Sequence, residues 1–421
     1  MSGGVDHSRR GQRVLSRGTR HRFSLTVAFL ALLVSCAGPP SAATGRPSAT
    51  TMPIPTSPPS SSGTAAPTPS PRVGPAVVEN VQLIASGLQA PWAIDLAPDG
   101  RLFITERPGR VRIVQLGPGG GLRPEPWATL PAITSRDGEK GLMGLAIDPD
   151  FTTNRFVYLY YTYAVGTASR NKLVRMRDVN GRGIEETVLL DGIPGSNLHD
   201  GGRIKFGPDG KLYVTTGDAE NAQNAQNTGT PAGKILRLNK DGSPPADNPI
   251  AGSPMWSLGH RNVQGIAWHP DTKTLYATEH GPSNLFPDCC HDELNLIEAN
   301  GNYGWPAVRG IAQNERYRDP LIESGNVETW APAGAAFATA AGPLRGSLLF
   351  AALRGQHLQR IVLAADGRTI VFREKLLQGQ YGRLRDVFEI PSGEFLILTS
   401  NRDGRGQPSA DDDRVLLLTL G

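Results

Sequence analysis

The segment Asn197-Leu198-His199-Asp200-Gly201-Gly202-Arg203 sets a histidine just ahead of a glycine pair that leads into an apolar strand. An imidazole titrates near neutral pH and can take a proton from a substrate hydroxyl, while Gly202 lets the backbone come close to a ligand. A structural loop histidine is the alternative for His199. Further on, Gly259-His260-Arg261-Asn262-Val263-Gln264-Gly265 precedes another apolar strand. There Arg261 either presents a fixed positive charge to an oxyanion or a carboxylate, or closes a structural salt bridge. Glu279-His280-Gly281-Pro282, Asp292-Glu293 and Gly301-Asn302-Tyr303-Gly304-Trp305-Pro306 follow. Their carboxylates and turn carbonyls are the hard oxygen donors that Ca²⁺ takes, although spacing alone does not establish a metal.

These segments need a scaffold that brings them together, and the chain repeats one phrase from Val81 onward. An apolar strand, a Pro-Asp-Gly turn or a relative, and a second apolar strand recur at Ala93–Thr105, Gly144–Tyr160, Gly202–Val214 and Gly265–Ala277. Two weaker copies lie at 347–362 and 386–418. Pro-Asp-Gly between short alternating strands is a hairpin signal, and a period of roughly 45 to 75 residues suits four-stranded blades with loops of variable length. The expected fold is all-β, a six-bladed β-propeller of four-stranded antiparallel blades, with a β-sandwich as the alternative. Val81–Ile84 has no hairpin partner of its own and is expected to complete the last blade, closing the ring.

The ends of the chain carry different information. The formal charge of +4 looks basic, yet residues 1–36 hold six arginines and one aspartate, a net +5, so the remainder carries −1. With no basic run left to match a phosphate backbone, nucleic acid is not an expected partner. The Arg-rich start and the apolar run Phe23–Val34 read as an export signal too short to span a bilayer comfortably. The run ends in Leu33-Val34-Ser35-Cys36, which looks like a bacterial lipobox. Cys36 would then carry the lipid, making the protein extracytoplasmic and anchored to the cell membrane; ordinary signal cleavage is the alternative. Residues 37–75 are Pro, Ser, Thr, Ala and Gly with few large apolar side chains, so they are expected to be a disordered tether before a domain at 76–421.

Taken in order, several stretches resemble the glucose/sorbosone dehydrogenase family of pyrroloquinoline quinone (PQQ) enzymes, the soluble aldose sugar dehydrogenases. They are the His199 loop, Gly259–Gly265, Glu279–Pro282, Asp292-Glu293-Leu294-Asn295-Leu296-Ile297, Gly301–Pro306, Gly355–Leu358 and Gly382-Arg383-Leu384-Arg385-Asp386-Val387, and the resemblance runs from about Val81 to Leu420. It implies an enzyme that oxidises an aldose-type sugar to a lactone, with PQQ as hydride acceptor and an electron acceptor downstream. His199 would take the proton of the C1 hydroxyl and Arg261 would stabilise charge at the quinone C5 oxygen. Asn262 would lie beside the cofactor, and Arg383 and Arg385 would grip its carboxylates. Gly281 and Pro282 would help hold a Ca²⁺ against the quinone, and Glu293 with Tyr303 a second, structural Ca²⁺.

The chain departs from the family in two places. Arg354 stands in Leu353-Arg354-Gly355 where the family usually has Lys near the quinone, and the planar, permanently charged guanidinium is not equivalent to an ammonium. The loop after Pro282 is also long and holds Cys289-Cys290-His291. A vicinal disulfide between Cys289 and Cys290 fits an oxidising compartment, and a transition-metal site using His291 as well is the sharper alternative. Asp411-Asp412-Asp413 reads as a solvated turn before the last strand, with a Ca²⁺ site as the alternative. Two other functions stay open: a tethered propeller that binds a glycan or protein partner without catalysis, and a Ca²⁺-dependent lactone hydrolase, for which no cluster of carboxylates and Asn can be assembled.

Overall fold

The computed structural model describes residues 72–283 and 289–421. Cys36, the export signal and all but the last residues of the 37–75 segment lie outside the described residues. Within them the chain folds into six antiparallel sheets, taken up in chain order. The innermost strands are Pro91–Leu96, Leu142–Ile147, Ile204–Phe206, Val263–Trp268, Pro332–Phe337 and Leu384–Glu389, one for each of blades 1 to 6. Blades 2 to 6 have four strands; blade 1 adds a fifth, Ala128–Thr129, beside its third strand. Val78–Ala85 is the outermost strand of blade 6, with Val81 opposite Leu418, so the first described strand closes the ring on the last.

The repeated phrase folds the same way wherever its glycine is present. In blades 1, 3 and 6, Gly100, Gly210 and Gly393 take φ of +80°, +71° and +91°. Each donates its N–H to the carbonyl three residues back, at Ala97, Gly207 and Ile390. Only a residue free of a Cβ takes this left-handed corner without strain. Blades 2 and 4 lack the glycine and their turns lengthen: Asp148–Phe156 wraps a short helix at Phe151–Asn154, and His269–Thr274 turns through Lys273 at φ +60°.

Tight packing between blades follows from the alternation within strands, whose apolar residues face neighbouring sheets. Phe103 meets both Trp127 and Phe151 edge-on, and Tyr158 meets Phe206 in the same way. Near the axis the contacts turn polar. Arg203, from the start of blade 3, pairs with Asp386 of blade 6 at 2.7 Å while its guanidinium lies 4.2 Å over the Trp92 ring. A Cβ on Gly334 would fall 1.6 Å from the Asp386 carboxylate, so blade 5 must be glycine at that height.

The aspartate run before the last strand corrects the solvated-turn expectation. Asp411 is exposed, but Asp412 and Asp413 are buried. Asp413 accepts N–H groups from Asn401 and from Ala90 of the preceding chain, and Asp412 takes Arg414 Nε at 3.0 Å. These acids tie blade 6 to the entry of blade 1.

Candidate active site

Each inner strand leads away from one face of the ring and the second strand returns to it. Crossovers into the inner strands and the loops between second and third strands therefore gather on that face. Glu139, His199 and Arg261 are in crossovers, and Asp218, His280, Arg354 and Arg405 are in loops between second and third strands. Arg383 immediately precedes the inner strand of blade 6, and Arg385 is within it. His199, Arg261, Gly281, Arg354, Arg383 and Arg385, separated by as much as 186 residues of sequence, line one cavity of about 170 Å³.

His199 is held on every side. Its backbone takes φ +59°, its N–H donates to Glu139 Oε2 at 3.1 Å, and its carbonyl packs so close to Gly217 that a Cβ there would fall within 1.8 Å. Nδ1 lies 2.9 Å from Asp218 Oδ1. Asp218 is fixed in turn by Trp305 Nε1 at 2.8 Å and by the Glu220 N–H. A carboxylate on Nδ1 selects the tautomer that carries its proton there, which leaves the Nε2 lone pair as the basic site.

Around this dyad the cavity is rich in positive charge, with Arg261, Arg354, Arg383, Arg385 and Arg405 in its wall against the single lining carboxylate of Glu139. Arg383 is clamped by Asp403 at 2.8 Å, and Arg385 donates to Gln264 Oε1 at 2.6 Å. Burial drives the Arg385 guanidinium down to about 9, with Arg383 and Arg107 adding repulsion. Burial also pushes His280 down to about 3 and leaves it neutral near pH 7. Burial alone would raise Glu139, yet its carboxyl sits well below the usual range. The charge of Arg405 and the hydrogen bond from Asn262 are among the interactions that favour its ionised form.

Three buried polar atoms of this wall have no hydrogen-bond partner: Arg261 Nε, Arg385 Nε and His280 Nε2. Buried N–H groups normally find an acceptor, and cations beside them favour an anionic one. A planar cofactor bearing several carboxylates fits this donor set. Asn262, expected beside that cofactor, is wholly buried and is not one of the lining side chains; its amide is committed to Glu139 and to the Gly201 N–H.

The oxygen-donor residues gather in a second recess that shares Arg261, His280 and Gly281 with the cavity. Pro282, Glu279, Glu293 and Tyr303 line it. Glu279 and Glu293 sit opposite each other across two strands. Burial, then the Glu279 charge, pushes the Glu293 carboxyl up to about 8. Such a pair favours a hard cation, but among the described residues no cluster of three or more His, Cys, Asp or Glu side chains forms. A Ca²⁺ at Glu293 and Tyr303, or one at Gly281 and Pro282, would therefore also need backbone oxygens. Cys289 and Cys290 are joined by a disulfide with Cα atoms 3.1 Å apart, and His291 pairs with Glu323.

Sequence reading missed Asp218, Glu139 and Arg405 and gave His280 no role of its own. A Gly-Asp at the end of the strand Leu212–Thr215 was the one signal for Asp218, and nothing local tied it to a histidine 19 residues earlier.

Known proteins resemble this chain in sequence and in fold. The sequence profile of the glucose/sorbosone dehydrogenases matches residues 88–416. The PQQ-bound aldose sugar dehydrogenase of Streptomyces coelicolor is 34% identical, aligning 84% of this chain with 100% of that one at a TM-score of 0.73. Aldose sugar dehydrogenase YliI of Escherichia coli (strain K12) is 28% identical over 77% of this chain and 91% of its own length. Quinoprotein glucose dehydrogenase B of Acinetobacter calcoaceticus is 35% identical over 56% of this chain, which spans 54% of that relative. The chain belongs to the glucose/sorbosone dehydrogenase family.

Proposed function

We propose that this protein is an extracytoplasmic quinoprotein that oxidises an aldose-type sugar at C1 to the lactone, held at the membrane by a lipid on Cys36 and the 37–75 tether. The observation that carries the reading is the His199–Asp218 pair in the wall of a cavity lined by five arginines. In the reaction the C1 hydroxyl loses its proton to His199 Nε2, and the C1–H leaves as hydride. PQQ, when bound, supplies the hydride acceptor. The imidazolium that forms is stabilised by Asp218, whose other oxygen is anchored by Trp305. Arg261, Arg383 and Arg385 would hold the cofactor through its anionic groups, and the charge of Arg261 would favour negative charge developing beside it. Arg354 stands at the exposed rim of the same cavity, where a guanidinium adds a fixed charge but no ready proton. Gly281 and Pro282 are the proposed donors to one Ca²⁺ and Glu293 and Tyr303 to a second, structural one, and the oxidation would need an external electron acceptor.

The test is titration of the metal-free protein with PQQ and Ca²⁺, followed by dye reduction with a panel of aldoses. Cofactor-dependent turnover that disappears in His199→Ala, with PQQ still bound, supports the dehydrogenase. Failure to bind PQQ with Ca²⁺ in excess overturns it and leaves the cavity as a non-catalytic glycan or protein site.

A further inference from the structure

The five arginines of the cavity are not equivalent. Arg383 and Arg385 are buried, and Arg261 is largely so, with the partnerless Nε atoms of Arg261 and Arg385 among them. These deep groups face whatever anion fills the interior. Arg405 stands at the mouth with its side chain 36% exposed, and its surroundings aim it elsewhere.

Arg405 lies in the 400–414 loop of blade 6, pinned from below. Asp403 accepts the Arg405 N–H with one oxygen at 2.9 Å and Arg383 Nε with the other at 2.8 Å. Gly404, at φ +92°, is pressed onto the 136 carbonyl so tightly that a Cβ would fall 2.0 Å from it. The guanidinium donates to the Asp137 carbonyl at 2.7 Å and reaches Glu139 Oε1 at 3.4 Å. Glu139 Oε2 receives the His199 N–H. The guanidinium of Arg405 and the backbone of His199 are therefore separated by the width of one carboxylate.

Resting on the dehydrogenase reading above, we propose that Arg405 is a specificity-determining residue that pairs with a carboxylate on the sugar, so that the preferred substrates are uronic acids rather than neutral aldoses. The contact to Glu139 is long and single, and half of that acid is already committed to His199, Asn262 and Gln264. Arg405 thus keeps donors for an incoming acceptor. A carboxylate matches the planar fork with two parallel hydrogen bonds.

The experiment measures sugar binding as well as turnover. PQQ-loaded protein carrying His199→Ala is titrated calorimetrically with glucuronate and with glucose, and again with Arg405→Gln or Arg405→Lys added. Glucuronate is expected to bind about tenfold or more tightly than glucose, the gain of one charge-assisted hydrogen-bonded pair. Arg405→Gln brings the ratio near unity and Arg405→Lys leaves it in between. With His199 restored, kcat/KM for the two sugars follows the same ratios. Equal affinity for both sugars, or an Arg405→Gln change that weakens both alike, overturns the proposal. Whether PQQ binds is read before any sugar is added, so a failure of the dehydrogenase reading shows separately. In that event the sugar titrations on cofactor-free protein decide the Arg405 role by the same ratio.

Discussion

At the residue scale, the proposed chemistry turns on how little freedom His199 has. Its ring orientation comes from Asp218 and its backbone position from Glu139 and Gly217, none of which adjoins it in sequence. Asp218→Asn keeps the shape but reverses the donor at Nδ1, favouring the tautomer whose Nε2 carries the proton and cannot accept another. The expected result is a fall in kcat by about two orders of magnitude or more, with PQQ affinity little changed, read by steady-state dye reduction and a separate cofactor titration. Loss of PQQ binding with kcat retained would place Asp218 in the cofactor site instead. The histidine itself was legible because a His-Asp-Gly-Gly-Arg string marks a strand entry. Its partner was not, since Asp218 reaches it only after the chain has gone down and back through two strands of blade 3.

The element scale separates what local pattern can encode from what only closure reveals. Turns, strands and the outer position of Val78–Ala85 were readable because each is decided by alternation and by a corner residue with special φ. The buried fate of Asp412 and Asp413 was not, because it depends on Ala90 and Asn401 arriving from either side of the ring seam. A second feature of this kind is Arg360, in the third strand of blade 5 and fully buried. It pairs with Glu374 at 2.8 Å and donates to the carbonyls of Arg72 and Gly74, securing the chain just before the closing strand. Arg360→Met removes the cation but strands the Glu374 carboxylate and two carbonyls. Destabilisation of about 3 kcal/mol or more is expected by urea denaturation. The double change Arg360→Met with Glu374→Gln should recover part of it, because the uncompensated charge is then gone. A single variant as stable as the parent would show that the entry segment contributes nothing to closure.

For the whole molecule, the ring brings acids from many blades into places water does not reach, and this couples stability to pH. Asp200, beside His199 in sequence, turns inward: Oδ1 accepts Asn171 and the Ser196 N–H, while Oδ2 is buried without a partner. Burial raises its carboxyl to about 7, and the Glu139 charge adds to the rise. In the unfolded chain the same group ionises near its ordinary value of about 3.9. Between those two values the native state holds a proton that the unfolded state has released, so raising the pH favours unfolding. The contribution is fully present below about pH 4 and is lost as the pH climbs through about 7. It is on the order of 2 to 4 kcal/mol for this group. Asp200→Asn keeps an acceptor for Asn171 and cannot titrate, so its stability should change less between pH 4.5 and 7.5 than that of the parent, measured by denaturant unfolding at fixed ionic strength. Parallel pH profiles for the two proteins would mean that Asp200 is ionised in the fold.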